Sequence, residues 1–439
     1  MAEAATGGDA AGHRSIESRA SWRAAFMTLA ILSISFGSTL LIVVGMKPMQ
    51  EALGTDRAVM ALAGSLLWIG TGSGGILMGW LADRIGLRPT VAIGACMIAG
   101  GLALSSTGPI WALYVGQGLM VGFLGNGAVY PPLLVYVSRW FDRRRGTAIA
   151  LISSGQYIAG VVWPSVFQSG ISGFGWQATM LTYAVVVLVV MLPLIALLRP
   201  APIPPAPPRQ TASATAAARR RRVAGLHPNV VQALLCLAGF CCCIPMSVPQ
   251  AHLVAFCSDI GISPARSAVM LSVMLASAFL ARQAWGALAD RIGGLRTILA
   301  GSAFQAVTIA CFLLTQDEAG LFAIAAAFGM GFAGIIPAYS VAIRDLFPSS
   351  EASWRMPLTL FTAMGGMAFG SWFAGFLYDH FAYYAPAFGI GVLFNLINLG
   401  LIGFLVLRTA ASDGGRRGPP WPERPHVVAA LDAGRQRSS

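Results

Sequence analysis

Apolar runs of about 20 residues recur from one end of this chain to the other, each long enough to cross a hydrocarbon core of about 30 Å as a helix. No other feature restricts the fold as strongly. A bilayer interior offers no water to an unpaired backbone N–H or C=O, so such runs must close their hydrogen bonds internally and be helical. The charge content agrees. Of 439 residues, 56% are hydrophobic and 10% charged, against about 25% charged in a soluble domain. The runs predict helices near 24–46, 58–81, 90–107, 110–137, 146–168, 176–198, 229–250, 265–288, 296–315, 320–343, 356–378 and 385–408. The expected fold class is an all-α membrane protein with twelve transmembrane helices. Gly70 and Gly74, Gly75 and Gly79, Gly118 and Gly122, and Gly366 and Gly370 have the small-x-x-x-small spacing of closely packed membrane helices.

Between the sixth and seventh runs the pattern stops. Pro200, Pro202, Pro204, Pro205, Pro207 and Pro208 precede Arg219–Arg222, and such a segment cannot bury a core, so it reads as a linker. The chain then divides into an N-terminal segment 1–23, six helices over 24–198, a linker 199–228, six helices over 229–408 and a tail 409–439. The tail, with Pro419, Pro420 and Pro422, is expected to be disordered. Lys and Arg sort by side. With the N-terminus inside, the opposite side holds only Lys47, Arg57 and Arg266 of the 29 basic residues. The positive-inside rule therefore puts both termini in the cytoplasm, with the protein in the cell inner membrane. The net charge of +12 is this asymmetry, and Arg219–Arg222 need only orientation and anionic lipid to explain them, not nucleic acid. Residues 1–22 lack the apolar region and cleavage site of a secretory signal. The cysteines lie mainly in apolar runs and read as small hydrophobes. Cys241–Cys243 have no His or carboxylate beside them to complete a metal site.

An octapeptide repeats. Gly79-Trp-Leu-Ala-Asp-Arg-Ile-Gly86 follows the second run, and Gly286-Ala-Leu-Ala-Asp-Arg-Ile-Gly293 follows the eighth. Pro131 and Phe141 likewise match Pro337 and Phe347. Two sets of six helices sharing one loop imply a duplicated unit, as in secondary transporters with a site between the repeats. Over about residues 24–408 the chain resembles the major facilitator superfamily. Gly79, Leu81, Ala82, Asp83, Arg84, Gly86 and Arg88 are similar to its signature loop between helices 2 and 3. The resemblance implies two pseudo-symmetric six-helix bundles. It also implies a gating motif, Gly79, Asp83, Arg84, Gly86 and Arg88 with Gly286, Asp290 and Arg291, that latches the halves while the outside is open. Asp83 can face a helix N-terminus and pair with Arg84, Arg88 or Arg143–Arg145 through charge-assisted bonds. The alternative is positive-inside charge alone.

One charge stands apart by depth. Arg282 falls inside the eighth run, and no Asp or Glu falls inside any run. Its first-half counterpart at the repeat spacing is Gly75. A charge in hydrocarbon costs about 2.5–3.5 kcal/mol on insertion scales, so Arg282 is expected to face a water-filled cavity or an anionic ligand or, by snorkelling, the headgroups. A guanidinium offers a planar fork to a carboxylate. The eighth helix is similar to that of monocarboxylate transporters and oxalate–formate antiporters, and that resemblance implies a substrate carboxylate on Arg282. Lys47-Pro48-Met49-Gln50, Tyr130-Pro131-Pro132 and Ile336-Pro337-Ala338-Tyr339 resemble the same branch. Prolines free backbone carbonyls where a cavity or neighbour can satisfy them. Tyr130, Asn126, Tyr339, Gln156 and Tyr157 are therefore candidates to bind substrate or to bond between helices. Lys47, the one lysine, can attract anions at the mouth or snorkel.

The chain also departs from these families. Ala278 stands where animal monocarboxylate transporters carry a proton-coupling Asp, and the eleventh run lacks the second cation of oxalate–formate antiporters. Tyr114, ahead of Gln117-Gly118, stands where drug antiporters carry Arg. The expected function is secondary transport of a small monocarboxylate or similar organic anion, without a cofactor, with a coupled proton or counter-anion left open. Membrane lipid and a monomeric state complete the expectation. The alternatives are an exporter of a neutral or hydrophobic compound and a non-transporting membrane sensor. An enzyme is not expected, since the runs hold no His and no phosphate-binding Gly loop with Lys.

Overall fold

The computed structural model describes residues 17–141, 144–200 and 223–414. Among these the regular elements are helices, and one isolated bridge joins Val223 to Leu226. Eleven helices are long and apolar enough to cross a membrane: α1 Arg19–Leu53, α2 Arg57–Ile85, α3 Leu87–Ser105, α4 Ile110–Ser138, α5 Gly146–Leu197, α6 Pro228–Asp259, α7 Pro264–Ile292, α8 Gly294–Cys311, α9 Glu318–Leu346, α10 Trp354–Phe381 and α11 Ala385–Ala411. At 52 residues, α5 would measure about 78 Å if straight. Gly175 interrupts it with φ 82° and ψ 165°, a conformation outside the helical region that glycine tolerates best. Arg143, Arg219–Arg222 and the prolines at 202–208 and 419–422 lie outside the described residues.

The repeat carries through to the backbone. α2 ends at Gly86 with φ 92° and ψ 163°, and α7 ends at Gly293 with φ 84° and ψ 162°. Close approaches recur at the same spacing. A Cβ on Gly122 would meet the Leu67 carbonyl, and one on Gly329 the Met274 carbonyl. Gly94 approaches the Gly125 carbonyl as Gly301 approaches that of Gly331. Helices touching backbone to backbone gain the dispersion contacts that drive association where lipid removes the hydrophobic advantage. The expected small-residue pairs divide accordingly. Gly70, Gly74, Gly366 and Gly370 each sit against a neighbouring helix's backbone, Gly75 meets Pro131, and Gly79 meets open space.

Several helices outrun their apolar cores. α1 starts at Arg19 and ends at Leu53, α6 runs to Asp259 and α10 to Phe381. His252, Asp259 and Asp379 thus belong to helices, which corrects the expectation of spans without His or carboxylate. A hydropathy pattern stops at the first charge, whereas a helix continues as long as its polar groups find partners. Two helices are irregular. Residues Val115–Asn126 of α4 are π-wound, and α9 breaks between Phe332 and Ile335, just ahead of Pro337.

Candidate functional site

Arg282 lies on α7 where the set α1–α5 meets the set α6–α11. Its guanidinium carbon is 5.2 Å from the ring centroid of Tyr157 on α5. The side chain therefore reaches across the interface instead of snorkelling along its own helix. Its buried Nε has no hydrogen-bond partner among the described residues, and none of the ion pairs among them involves Arg282. A cation with an open donor thus sits where the two helix sets meet.

Neighbouring residues shape the surroundings. Tyr157 also packs on Phe332, at the break in α9, with ring centroids 6.1 Å apart. The carbonyl of Met330, freed by that break, accepts from Trp285 Nε1 at 2.6 Å, so α7 both carries Arg282 and repairs the facing helix. Gln156, next to Tyr157, lines a small, partly open cavity between the two sets, with Phe36, Thr39, Trp68, Ser247, Gln250 and Leu275 among its walls. Thr39 Oγ1 is buried and without a partner there. Tyr130 packs edge-on against Phe36 at 5.3 Å, which ties it to the same cavity wall.

The remaining candidates are engaged elsewhere. Asn126 Oδ1 accepts from Ser35 Oγ at 2.6 Å, leaving its buried Nδ2 without a partner. Tyr339 is 1% exposed and donates to Asn398 Oδ1 at 3.2 Å, while Asn398 donates to Ser302; its hydroxyl is used within α6–α11. Lys47 pairs with Asp259 at 3.0 Å. Tyr114 donates to the Val59 carbonyl at 3.2 Å, a bond within α1–α5.

Lys47 belongs to a polar network at the far end of the bundle from the octapeptide repeats. Arg57, buried at the start of α2, pairs with Asp259. It also donates to Gln50 at 2.9 Å and to Tyr384 at 3.0 Å, and lies over the Tyr378 ring at 3.9 Å. His252, fully buried, bonds Tyr384 at 3.0 Å and the Ser371 carbonyl at 2.8 Å. Both cations come from α1–α5, and Asp259 comes from α6. Sequence reasoning missed this network because its partners are far apart in the chain, Arg57 lying 202 residues from Asp259 and 327 from Tyr384. The available signal was that Lys47 and Arg57 fall in the first set's loops on one side, and Asp259 and Asp379 in the second set's loops on that side.

At the repeat end, Asp83 faces Arg139 at 4.0 Å with 78% of its side chain exposed. Arg84 lies over Trp80 at 4.0 Å, and Arg88 donates to the Leu198 carbonyl. In the second copy Asp290 and Arg291 are exposed, and the helix N-terminus at Gly294 is instead met by Asp345, at 3.1 Å. Gly79 and Gly286 both face open space.

The profile described as Major Facilitator Superfamily matches residues 25–256 and 235–431. The MFS-type transporter pynF of Aspergillus niger is 27% identical over 338 residues, covering 75% of each chain. Monocarboxylate transporter 13 of Bos taurus is 26% identical over 325 residues, covering 73% of this chain and 74% of its own. Among solved structures, a bacterial homologue of the human lysosomal transporter Spinster, in an inward-facing and occupied conformation, superposes with a TM-score of 0.69 at 14% identity. It covers 91% of this chain and 98% of that one, which is a likeness of fold.

Proposed function

Because the chain belongs to the Major Facilitator Superfamily, and is thus a multi-pass membrane transporter rather than an enzyme, we propose that it carries a small monocarboxylate or similar organic anion by alternating access. The observation that carries this reading is Arg282, with an open Nε and no carboxylate partner among the described residues, facing Tyr157 across the interface next to a mainly apolar cavity that Gln156 lines. One cation without a carboxylate suits a monoanion, whose charge it would offset on binding. Tyr157, Tyr130 and Gln156 are proposed to line the substrate's path. The similarity to monocarboxylate transporter 13 supports the substrate class.

Twelve crossings, in two bundles over 24–198 and 229–408, follow if α5 is counted as two helices meeting at Gly175. Both termini and the repeat end face the cytoplasm of an inner membrane in this reading, because the basic residues lie there. The Lys47 network then closes the outer face while the inner face stands open. Asp83, Arg84, Arg88 and their counterparts Asp290 and Arg291 would engage the opposite bundle once the outer face opens. The coupled species is a proton or a counter-anion.

Uptake of a labelled monocarboxylate panel into liposomes holding the purified protein tests the proposal. Native protein should show saturable uptake, and Arg282→Ala should reduce it roughly 10- to 100-fold, the weight of one charged hydrogen-bonded pair. Arg282→Lys should recover little, since a point charge lacks the planar fork. Unchanged uptake by folded Arg282→Ala would sink the site.

A further inference from the structure

Asp379 lies in the last turn of α10, where a helix's unpaired carbonyls disfavour a negative charge. Its oxygens are taken up by a different helix in the other set. Oδ1 accepts from the Arg57 N–H at 2.9 Å, and Oδ2 from the Ala58 N–H at 2.7 Å. These are the first two orphan donors of α2, at the positive end of its dipole. The position before them is Asp56, which has the extended backbone of an N-cap, φ −72° and ψ 158°, yet its side chain makes no capping bond. Asp56 is exposed. Asp is among the strongest N-cap residues, and its carboxylate would accept from the second or third N–H of the helix. The second of these is the Ala58 donor that Asp379 occupies.

We propose that the N-terminus of α2 exchanges carboxylates as the outer face opens: Asp379 caps it while the two sets are together, and Asp56 caps it once they part. The exchange presupposes alternating access. It removes a specific obstacle to that motion. Separation of the sets strips α2 of two charge-assisted bonds, and a residue already poised at the cap position replaces part of that loss. Both end states of α2 are then satisfied, so the closed outer face is held without being made irreversible. The surrounding charges fit the same division. Lys47 and Arg57 stay with Asp56 on the first set, and Asp259 stays with Asp379 on the second.

The two carboxylates therefore act in opposite directions on one equilibrium. Spin labels at Glu51→Cys and Tyr383→Cys, with Cys96, Cys236 and Cys311 replaced by serine, would report the outer gap by pulsed distance measurement on the full chain in lipid. Removing the Asp379 carboxylate by Asp379→Ala should raise the long-distance population about fivefold, the weight of one helix cap. Asp56→Ala should lower it by a similar factor. The double variant should return near the native ratio, and Asp379→Glu should keep more of the closed population than Asp379→Ala. Shifts in the same direction for the two alanine variants, or a silent Asp56→Ala, would overturn the exchange while leaving alternating access intact. A single distance in every variant would overturn both.

Discussion

Asp259→Ala is expected to destabilise the folded protein by about 3–5 kcal/mol, the typical result of removing one partner from a buried ion pair. The Arg57 side chain is 3% exposed and that of Asp259 16%. Without Asp259, a guanidinium enclosed by Tyr378, Tyr384 and Gln50 has lost its carboxylate, and Lys47 has lost its own partner. Thermal unfolding in detergent should show the deficit. The exposed pair Arg266–Glu318, with side chains 62% and 36% exposed, provides the contrast. Breaking it should change stability by less than about 1 kcal/mol. Equal effects at the two pairs would contradict the distinction drawn from burial. Because Asp259 joins α6 to α1 and α2, its loss should also weaken closure at the Lys47 end.

Gly74→Leu is expected to prevent accumulation of folded protein. A Cβ at Gly74 would overlap the Phe123 carbonyl on the π-wound part of α4. The obstacle is backbone, so no rotamer relieves it, and the cost should reach or exceed the upper end of the roughly 1–3 kcal/mol typical of overpacking. Gly79→Leu, one turn or so further along α2, meets open space and should leave folding within about 0.5 kcal/mol of native. Its transport should nevertheless fall if the motif closes on the opposite bundle during the cycle. Size-exclusion recovery and liposome uptake together separate these outcomes. Recovery of folded Gly74→Leu at native levels would contradict the packing described.

Much of the fold is legible in the sequence because lipid imposes local rules. A run of about 20 apolar residues must be helical wherever it sits, and the repeated Asp-Arg-Ile-Gly turn appears in the backbone as matching glycine conformations at Gly86 and Gly293. Arg282 is legible for the same reason, since a lone charge inside an apolar run needs a partner that the run cannot provide. Helix ends are less legible. Asp259 and Asp379 look like loop residues until Arg57 and the α2 N-terminus are brought to them from more than 200 residues away. Tyr339 shows the opposite failure. Beside a proline in a membrane helix it looks available for a ligand, and only the tertiary contact with Asn398 reveals an internal bond. Trp285, three residues from Arg282, gains its role only from the break in α9 that frees the Met330 carbonyl.

Equilibrium binding of a labelled short-chain monocarboxylate, and of its uncharged methyl ester, to purified native protein and to Arg282→Ala probes the pairing of a substrate carboxylate with Arg282 most directly. Native protein should bind the acid saturably and the ester at least tenfold more weakly, with Arg282→Ala binding both as weakly as native protein binds the ester. Equal affinity of native protein for acid and ester, or undiminished binding of the acid by folded Arg282→Ala, would contradict an Arg282-anchored carboxylate site and favour a carrier of neutral compounds.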